Sequence, residues 1–141
     1  MLSRTSNKSS FLFIFEHVKI LTYINLVVVT KYRHPCINEN IKNRLEEIAH
    51  NLFTKWNCTI IEMNGEEDHI HILFDAPPQI HLANVVNSFK TVTSRYIRKE
   101  FPDELKPFYW KPYFWSRSYM LLTTGGAPIE VLRAYIENQG K

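Results

Sequence analysis

Apolar residues recur along this chain with two different spacings, one typical of strands and the other typical of helices. Four stretches rich in β-branched and aromatic residues predict strands at 22–32, 57–63, 68–76 and 116–124. Two stretches with apolar residues three and four apart predict amphipathic helices at 39–54 and 80–100, the first with Asn38 as its N-cap. Asn64 and Gly65 predict a tight turn, and Pro128 predicts the start of a third helix that continues to about residue 138.

The predicted order is therefore β-α-β-β-α-β followed by a C-terminal helix. This pattern is typical of the α+β ferredoxin-like fold, in which a four-stranded antiparallel sheet carries two helices on one face. We expect a single domain over residues 20–141, preceded by an N-terminal arm or extra strand at 1–19. The C-terminal helix, hinged at Gly125 and Gly126, is the expected cover for the face of the sheet that the two helices leave open.

The stretch HIHILF at 69–74 places two histidines on one side of a predicted central strand. Because a strand has a period of two, His69 and His71 point to one face, while the apolar residues between them point to the helices. Two neutral imidazoles plus an amide oxygen suit Mg²⁺ or Mn²⁺. Asp68 precedes His69 and could orient an imidazole by accepting a hydrogen bond from the ring nitrogen that does not bind the metal. Surface or packing histidines beside an ordinary acidic turn are the alternative.

Tyr135 and Gln139 are four residues apart, so they share one face of the predicted C-terminal helix. Together with the histidines they suggest a divalent-metal site facing a tyrosine nucleophile, which is chemistry for cutting a phosphodiester and holding one end covalently. A core tyrosine and a solvated helix end are the alternative interpretation. The sequence contains no glycine-rich phosphate loop and no GxSxG or HExxH motif.

Composition adds a modest positive charge that is unevenly distributed. The 141 residues include 17 Lys and Arg against 14 Asp and Glu, for a formal net charge of +3. Seven of these cations fall between residues 89 and 117, and six aromatic rings fall between residues 108 and 115 of the same stretch, a mixture that suits phosphates and unpaired bases. A solvated helix face followed by an aromatic core turn explains the stretch equally well. Cys36 and Cys58 lack metal-type spacing, which indicates reduced cysteines in a cytoplasmic protein, and no segment predicts membrane insertion.

Six motifs follow one family's pattern in order and spacing: KYRH at 31–34, DHIHIL at 68–73, FK at 89–90, W-SRSY at 115–119, GGAPIE at 125–130 and YIENQ at 135–139. Over residues 20–141 the chain resembles the single-tyrosine HUH transposases, or TnpA proteins, of the smallest bacterial and archaeal insertion sequences. The resemblance implies that Tyr135 is the nucleophile and that His69, His71 and Gln139 are the metal ligands. It further implies a 5′-phosphotyrosine intermediate.

The resemblance also implies partners. Such an enzyme acts as a homodimer on single-stranded DNA with a subterminal hairpin, and it needs no nucleotide cofactor. We expect DNA contacts from six cations, Lys31, Arg33, Lys90, Arg95, Lys111 and Arg117. Two alternatives stay open at this point. One is a non-enzymatic module that binds single-stranded nucleic acid, and the other is a domesticated transposase relative that acts on genomic palindromes.

Overall fold

The computed structural model describes residues 22–123. The sheet consists of β1 (Thr22–Thr30), β2 (Thr59–Glu66), β3 (His69–Ala76) and β4 (Trp115–Thr123). The helices are α1 (Glu39–Lys55), α2 (Leu82–Glu100) and the short α3 (Pro102–Leu105), and a 3₁₀ turn (Lys31–Arg33) follows β1. The predicted β-α-β-β-α-β order is confirmed. The predicted arm, the glycine hinge and the C-terminal helix lie outside the described residues.

The four strands form one antiparallel sheet in the order β2-β3-β1-β4. This is the strand order expected for the ferredoxin-like α+β fold. The histidine strand β3 is central, as predicted, because it pairs with β1 on one side and β2 on the other. Among residues 22–123 no helix is long and apolar enough to cross a membrane.

One face of β3 belongs to the hydrophobic core. Ile70, Ile72 and Phe74 are fully buried, and the Phe74 ring packs edge-on against Phe53 of α1, with 4.8 Å between the ring centroids. Phe53 also meets Phe89 of α2 at 5.9 Å. Burying one side chain of this size contributes about 1.5–3 kcal/mol. A shift by one residue would expose all three, so this packing determines which face the histidines occupy.

The first helix begins as predicted. The side-chain oxygen of Asn38 accepts a hydrogen bond of 2.8 Å from the backbone N–H of Ile41 and so satisfies one of the unpaired donors at the helix start. The helix continues to Lys55 and buries Ile41, Leu45 and Phe53 on its inner side.

The predicted turn at Asn64 and Gly65 is wrong. Both residues belong to β2, and the turn is formed by Glu67 and Asp68. A glycine is required at position 65 because the backbones of β2 and β3 lie close together there, and not because the chain turns. A Cβ placed on Gly65 would lie 2.5 Å from the carbonyl oxygen of His69 and 2.6 Å from Cδ1 of Ile70. The Asn-Gly pair therefore marks a point where β2 and β3 approach closely just beside the histidines.

We predict that Gly65→Ala destabilises the protein by about 1–3 kcal/mol, because the backbone of β3 must move to admit the methyl group. Urea denaturation followed by circular dichroism measures the loss. Asn64→Ala is the matched control, since Asn64 is exposed on the same strand and its truncation should change stability by no more than about 0.5 kcal/mol. Equal stability of the two variants would contradict the close approach.

Candidate metal site

The two histidines lie on the face of the sheet opposite α1 and α2. Their strand partners on β1 are Val29 for His69 and Val27 for His71. On β2, Glu66 lies opposite His69, and Asn64 lies opposite His71. Residues that pair directly across a sheet point to the same side, so each imidazole lies between a polar residue directly opposite on β2 and a valine directly opposite on β1.

His69 is held by the aspartate that precedes it. Its Nδ1 lies 2.9 Å from Oδ1 of Asp68, and only 13% of the His69 side chain is exposed. A carboxylate accepts but does not donate, so Nδ1 carries the proton in the neutral ring and Nε2 carries the lone pair. This arrangement of a carboxylate behind a histidine is typical of metal-binding imidazoles.

Asp68 is held in turn by Arg33. Nη2 of Arg33 donates a hydrogen bond of 2.9 Å to Oδ2 of Asp68. Burial raises the pKa of Asp68, but the hydrogen bonds and positive charges of His69 and Arg33 outweigh it and leave the pKa below its ordinary value. Asp68 therefore stays a carboxylate at neutral pH and remains an acceptor for His69. An ion pair this exposed contributes about 0–1 kcal/mol, so its effect is mainly on orientation.

His71 has a different support, which the sequence analysis missed. Its Nε2 lies 2.9 Å from Oδ1 of Asn25 on β1, and Asn25 is buried, with only 1% of its surface exposed. If Nε2 donates to this amide oxygen, Nδ1 carries the lone pair of the neutral ring. The available signal was a single amide inside the otherwise apolar stretch YINLVVV.

Arg33 reaches Asp68 because the chain leaves the sheet earlier than predicted. The expected strand to residue 32 is wrong, since β1 ends at Thr30 and is followed by the 3₁₀ turn. Tyr32 and Arg33 have φ values of 58° and 56°, a left-handed conformation that side chains rarely adopt. Each such residue costs about 1–3 kcal/mol, so other contacts must hold the turn.

Three hydrogen bonds hold this turn. The Tyr109 hydroxyl donates to the carbonyl oxygen of Lys31 at 2.6 Å, and the Lys31 N–H donates to that of Phe114 at 2.8 Å. The Thr30 hydroxyl donates to the carbonyl oxygen of His34 at 2.7 Å. Burial raises the pKa of Tyr109, which keeps its hydroxyl protonated and able to donate.

The remaining predicted DNA-contact residues occupy separate places. The Lys31 and Lys111 ammonium groups lie over aromatic rings near the 3₁₀ turn. Arg95 lies beside Tyr96 on α2. Lys90 donates to the carbonyl oxygen of Arg117 at 3.0 Å, and burial lowers its pKa. The contacts of all six cations with DNA stay a prediction.

The described residues offer two overlapping sets of donors for a divalent ion. One is the imidazole pair His69 and His71. The other is Glu66, Asp68 and His69, which can each bring one ligand atom within 4.8 Å of the others. Imidazole and carboxylate groups are both suitable donors for Mn²⁺, and carboxylates also suit Mg²⁺. The predicted third ligand Gln139 and the predicted nucleophile Tyr135 lie outside the described residues.

Comparisons with known proteins identify relatives across most of the chain. The family described as "Transposase IS200 like" matches residues 18–139. The ISDra2 transposase TnpA of Deinococcus radiodurans is 28% identical over 115 residues, which cover 82% of this chain and 81% of that protein. The transposase for insertion sequence element IS200 of Salmonella typhimurium is also 28% identical, over 82% of this chain and 74% of its own length.

Two solved structures share the fold. The crystal structure of a candidate transposase from Deinococcus radiodurans superposes with a TM-score of 0.72 at 26% identity, covering 86% of this chain and 93% of that one. A REP-associated tyrosine transposase bound to a REP hairpin superposes with a TM-score of 0.59 at 8% identity, covering 84% of this chain and 66% of that one. The second likeness shows the fold alone.

We predict that Asp68→Asn weakens Mn²⁺ binding roughly tenfold to 100-fold, because His69 loses the charged group that sets its tautomer. Isothermal titration calorimetry with Mn²⁺ measures this directly. Glu67→Gln is the matched control, since Glu67 is the exposed neighbour in the same turn and should keep native affinity. Glu66→Gln separates the two donor sets. If Glu66→Gln lowers the affinity for Mn²⁺ more than His71→Ala does, the ion is bound by the carboxylate set and not by the imidazole pair.

Proposed function

The chain belongs to the IS200-like transposase family, since the match extends over residues 18–139, and we propose that it cuts and rejoins single-stranded DNA at the ends of an insertion sequence. The cut strand is held by a covalent bond between its 5′-phosphate and the Tyr135 oxygen. The observation that carries the proposal is the pair His69 and His71 on the face of the sheet away from the helices. A polar side chain orients each imidazole there, Asp68 in one case and Asn25 in the other.

We assign a divalent cation to this face because two imidazoles share it and Gln139 is predicted to add an amide oxygen. His69, His71 and Gln139 would hold Mg²⁺ or Mn²⁺, which when bound would supply positive charge to the oxygens of the scissile phosphate. The protein's own contribution is orientation. Asp68 keeps the lone pair of His69 on Nε2, Asn25 fixes the ring of His71, and Arg33 holds Asp68 in place. Arg33 is thus a positioning residue that acts through Asp68.

The proposed reaction exchanges one phosphodiester for another. The Tyr135 oxygen attacks the phosphorus, the bond from phosphorus to the 3′-oxygen breaks, and a 5′-phosphotyrosine forms. The proton lost by the phenol is balanced by the one gained on the departing 3′-oxygen. In the rejoining step the 3′-hydroxyl of another strand attacks the same phosphorus and releases Tyr135. The energy of the original bond is retained in the tyrosine ester, so no nucleotide cofactor is required.

The substrate is single-stranded DNA with a subterminal hairpin, and the enzyme is a homodimer in which the Tyr135 helix of one subunit serves the histidines of the other. We propose the hairpin by analogy with the REP-associated tyrosine transposase, a protein of the same fold that was solved with a REP hairpin. A strand without its complement also reaches a metal on a sheet face without the unpairing that a duplex requires, which costs a few kcal/mol.

We predict that Tyr135→Phe binds the flanking DNA but forms no covalent adduct, because only the hydroxyl is removed. The assay is denaturing gel electrophoresis of protein incubated with Mg²⁺ and labelled single strands from beside its gene. Tyr96→Phe is the matched control and should form the adduct, since Tyr96 lies on α2 away from the histidines. An adduct on the Tyr135→Phe protein would assign the nucleophile to another residue.

A subunit-mixing experiment tests the shared active site. Neither Tyr135→Phe nor His69→Ala should cut DNA alone. After mixing and re-equilibration, cleavage should return to about one quarter of the native level, because half of the random dimers carry one intact site out of two. If the mixture stays inactive while sedimentation shows mixed dimers, each subunit uses its own tyrosine and the proposed exchange is wrong.

A further inference from the structure

We infer that a cavity beside the 3₁₀ turn binds one unpaired nucleobase of the DNA strand, an inference that rests on the proposed function. The cavity lies between the turn at Lys31–Arg33 and the connection from α3 to β4, and its volume is about 170 Å³. This is the liquid volume of about six water molecules, a space on the scale of one planar ring system. Five aromatic rings line it, those of Tyr32, Phe108, Tyr109, Trp110 and Tyr113.

The rings that line the cavity differ in exposure, and the buried ring forms its base while the exposed rings surround its opening. Tyr109 is buried and donates its hydroxyl to the turn, so it forms a fixed floor. Tyr32 is 66% exposed and Trp110 is 88% exposed, which is unusual for rings of this size. Large exposed rings grouped around a cavity indicate a binding surface rather than a poorly packed part of the hydrophobic core.

The geometry within the cluster suits a flat ligand. The ring of Tyr32 meets Tyr113 at an interplanar angle of 86° and His34 at 74°, and Tyr109 meets Tyr113 at 88°. These are edge-to-face contacts, and they leave the Tyr32 and Tyr113 rings without a face-to-face stack in the described cluster. A nucleobase stacks on an aromatic face regardless of its identity, because every base has a π-face.

The charge around the cavity is positive. The Lys31 ammonium lies 5.1 Å from the centre of the Tyr32 ring and 5.2 Å from that of Tyr113. The Lys111 ammonium lies 4.8 Å from the centre of the Trp110 ring. No carboxylate is among the described residues that line the cavity. Cations beside rings match the phosphates on either side of a stacked base and disfavour a cationic ligand.

The turn connects this cavity with the residues that support His69. Tyr32 and Arg33 are consecutive residues in the left-handed conformation, and their side chains have different partners. Tyr32 reaches the aromatic cluster, whereas Arg33 reaches Asp68, which contacts His69. Because Tyr32 is adjacent in the chain to the arginine that holds Asp68 beside His69, we assign this base to the strand that is cut.

The experiment compares two strands of equal length and charge, an oligothymidylate and an abasic phosphodiester chain, without divalent metal so that no cutting occurs. Fluorescence anisotropy gives both affinities. The native protein should prefer the thymidylate. Trp110→Ala and Tyr32→Ala should each lower affinity for the thymidylate roughly fivefold to 100-fold and leave affinity for the abasic strand almost unchanged. Trp110→Phe should restore most of the preference.

Two control variants separate stacking from charge and from a general loss of rings. Lys111→Ala should weaken the binding of both strands by the same factor, because this substitution removes a positive charge near the phosphates and leaves every ring in place. Tyr96→Ala removes an exposed ring flanked by Arg44 and Arg95, and it lies outside the cavity, so the preference for bases should persist. An unchanged preference in both Trp110→Ala and Tyr32→Ala would overturn the inference, as would an equal loss for both strands.

The adduct assay tests the covalent chemistry separately from the binding of a base. In one outcome the native protein forms no tyrosine adduct, while the Trp110→Ala variant loses the preference for bases. The transposition chemistry is then wrong and the base subsite stands. If the adduct forms and the preference is insensitive to both ring substitutions, the subsite fails alone.

Discussion

The alternation of β3 is the constraint on which the candidate site depends. Ile70, Ile72 and Phe74 are fully buried beneath α1 and α2, and at about 1.5–3 kcal/mol each they fix the strand in one register. The histidines occupy the intervening positions, so they must point to the other face. Gly65 adds a second restraint, since only a residue without a side chain lets β2 come this close to the backbone of His69. Core packing therefore places the imidazoles, and polar neighbours orient them.

The sequence predicted these periodic features because they rest on local pattern. The order of the elements along the chain, the central position of the histidine strand and the Asn38 cap could all be predicted from spacing and residue type. The Asn-Gly pair was misread because the same dipeptide serves a turn through its backbone freedom and a strand contact through its lack of bulk. Nothing local to residues 64 and 65 separates these two uses, and the deciding atoms belong to His69 and Ile70.

The supports of the two imidazoles were harder to predict because they come from distant parts of the chain. Asp68 is adjacent to His69 and was foreseen as a neighbour of the ring. Arg33 is 35 residues from Asp68, and Asn25 is 46 residues from His71. Their partnership depends on how β1 pairs with β3 and on the left-handed turn after Thr30. No spacing rule predicts two consecutive left-handed residues at a tyrosine and an arginine.

This turn explains how one short segment can serve two surfaces. Two left-handed residues together cost about 2–6 kcal/mol, more than the exposed Arg33–Asp68 pair returns, at about 0–1 kcal/mol. The hydrogen bonds from Tyr109, Lys31 and Thr30 must supply part of the difference, at roughly 0.5–1.5 kcal/mol each. A strained turn that is held from both sides resists small displacements. A base stacked on Tyr32 would therefore share one backbone segment with Arg33, which holds Asp68 beside His69.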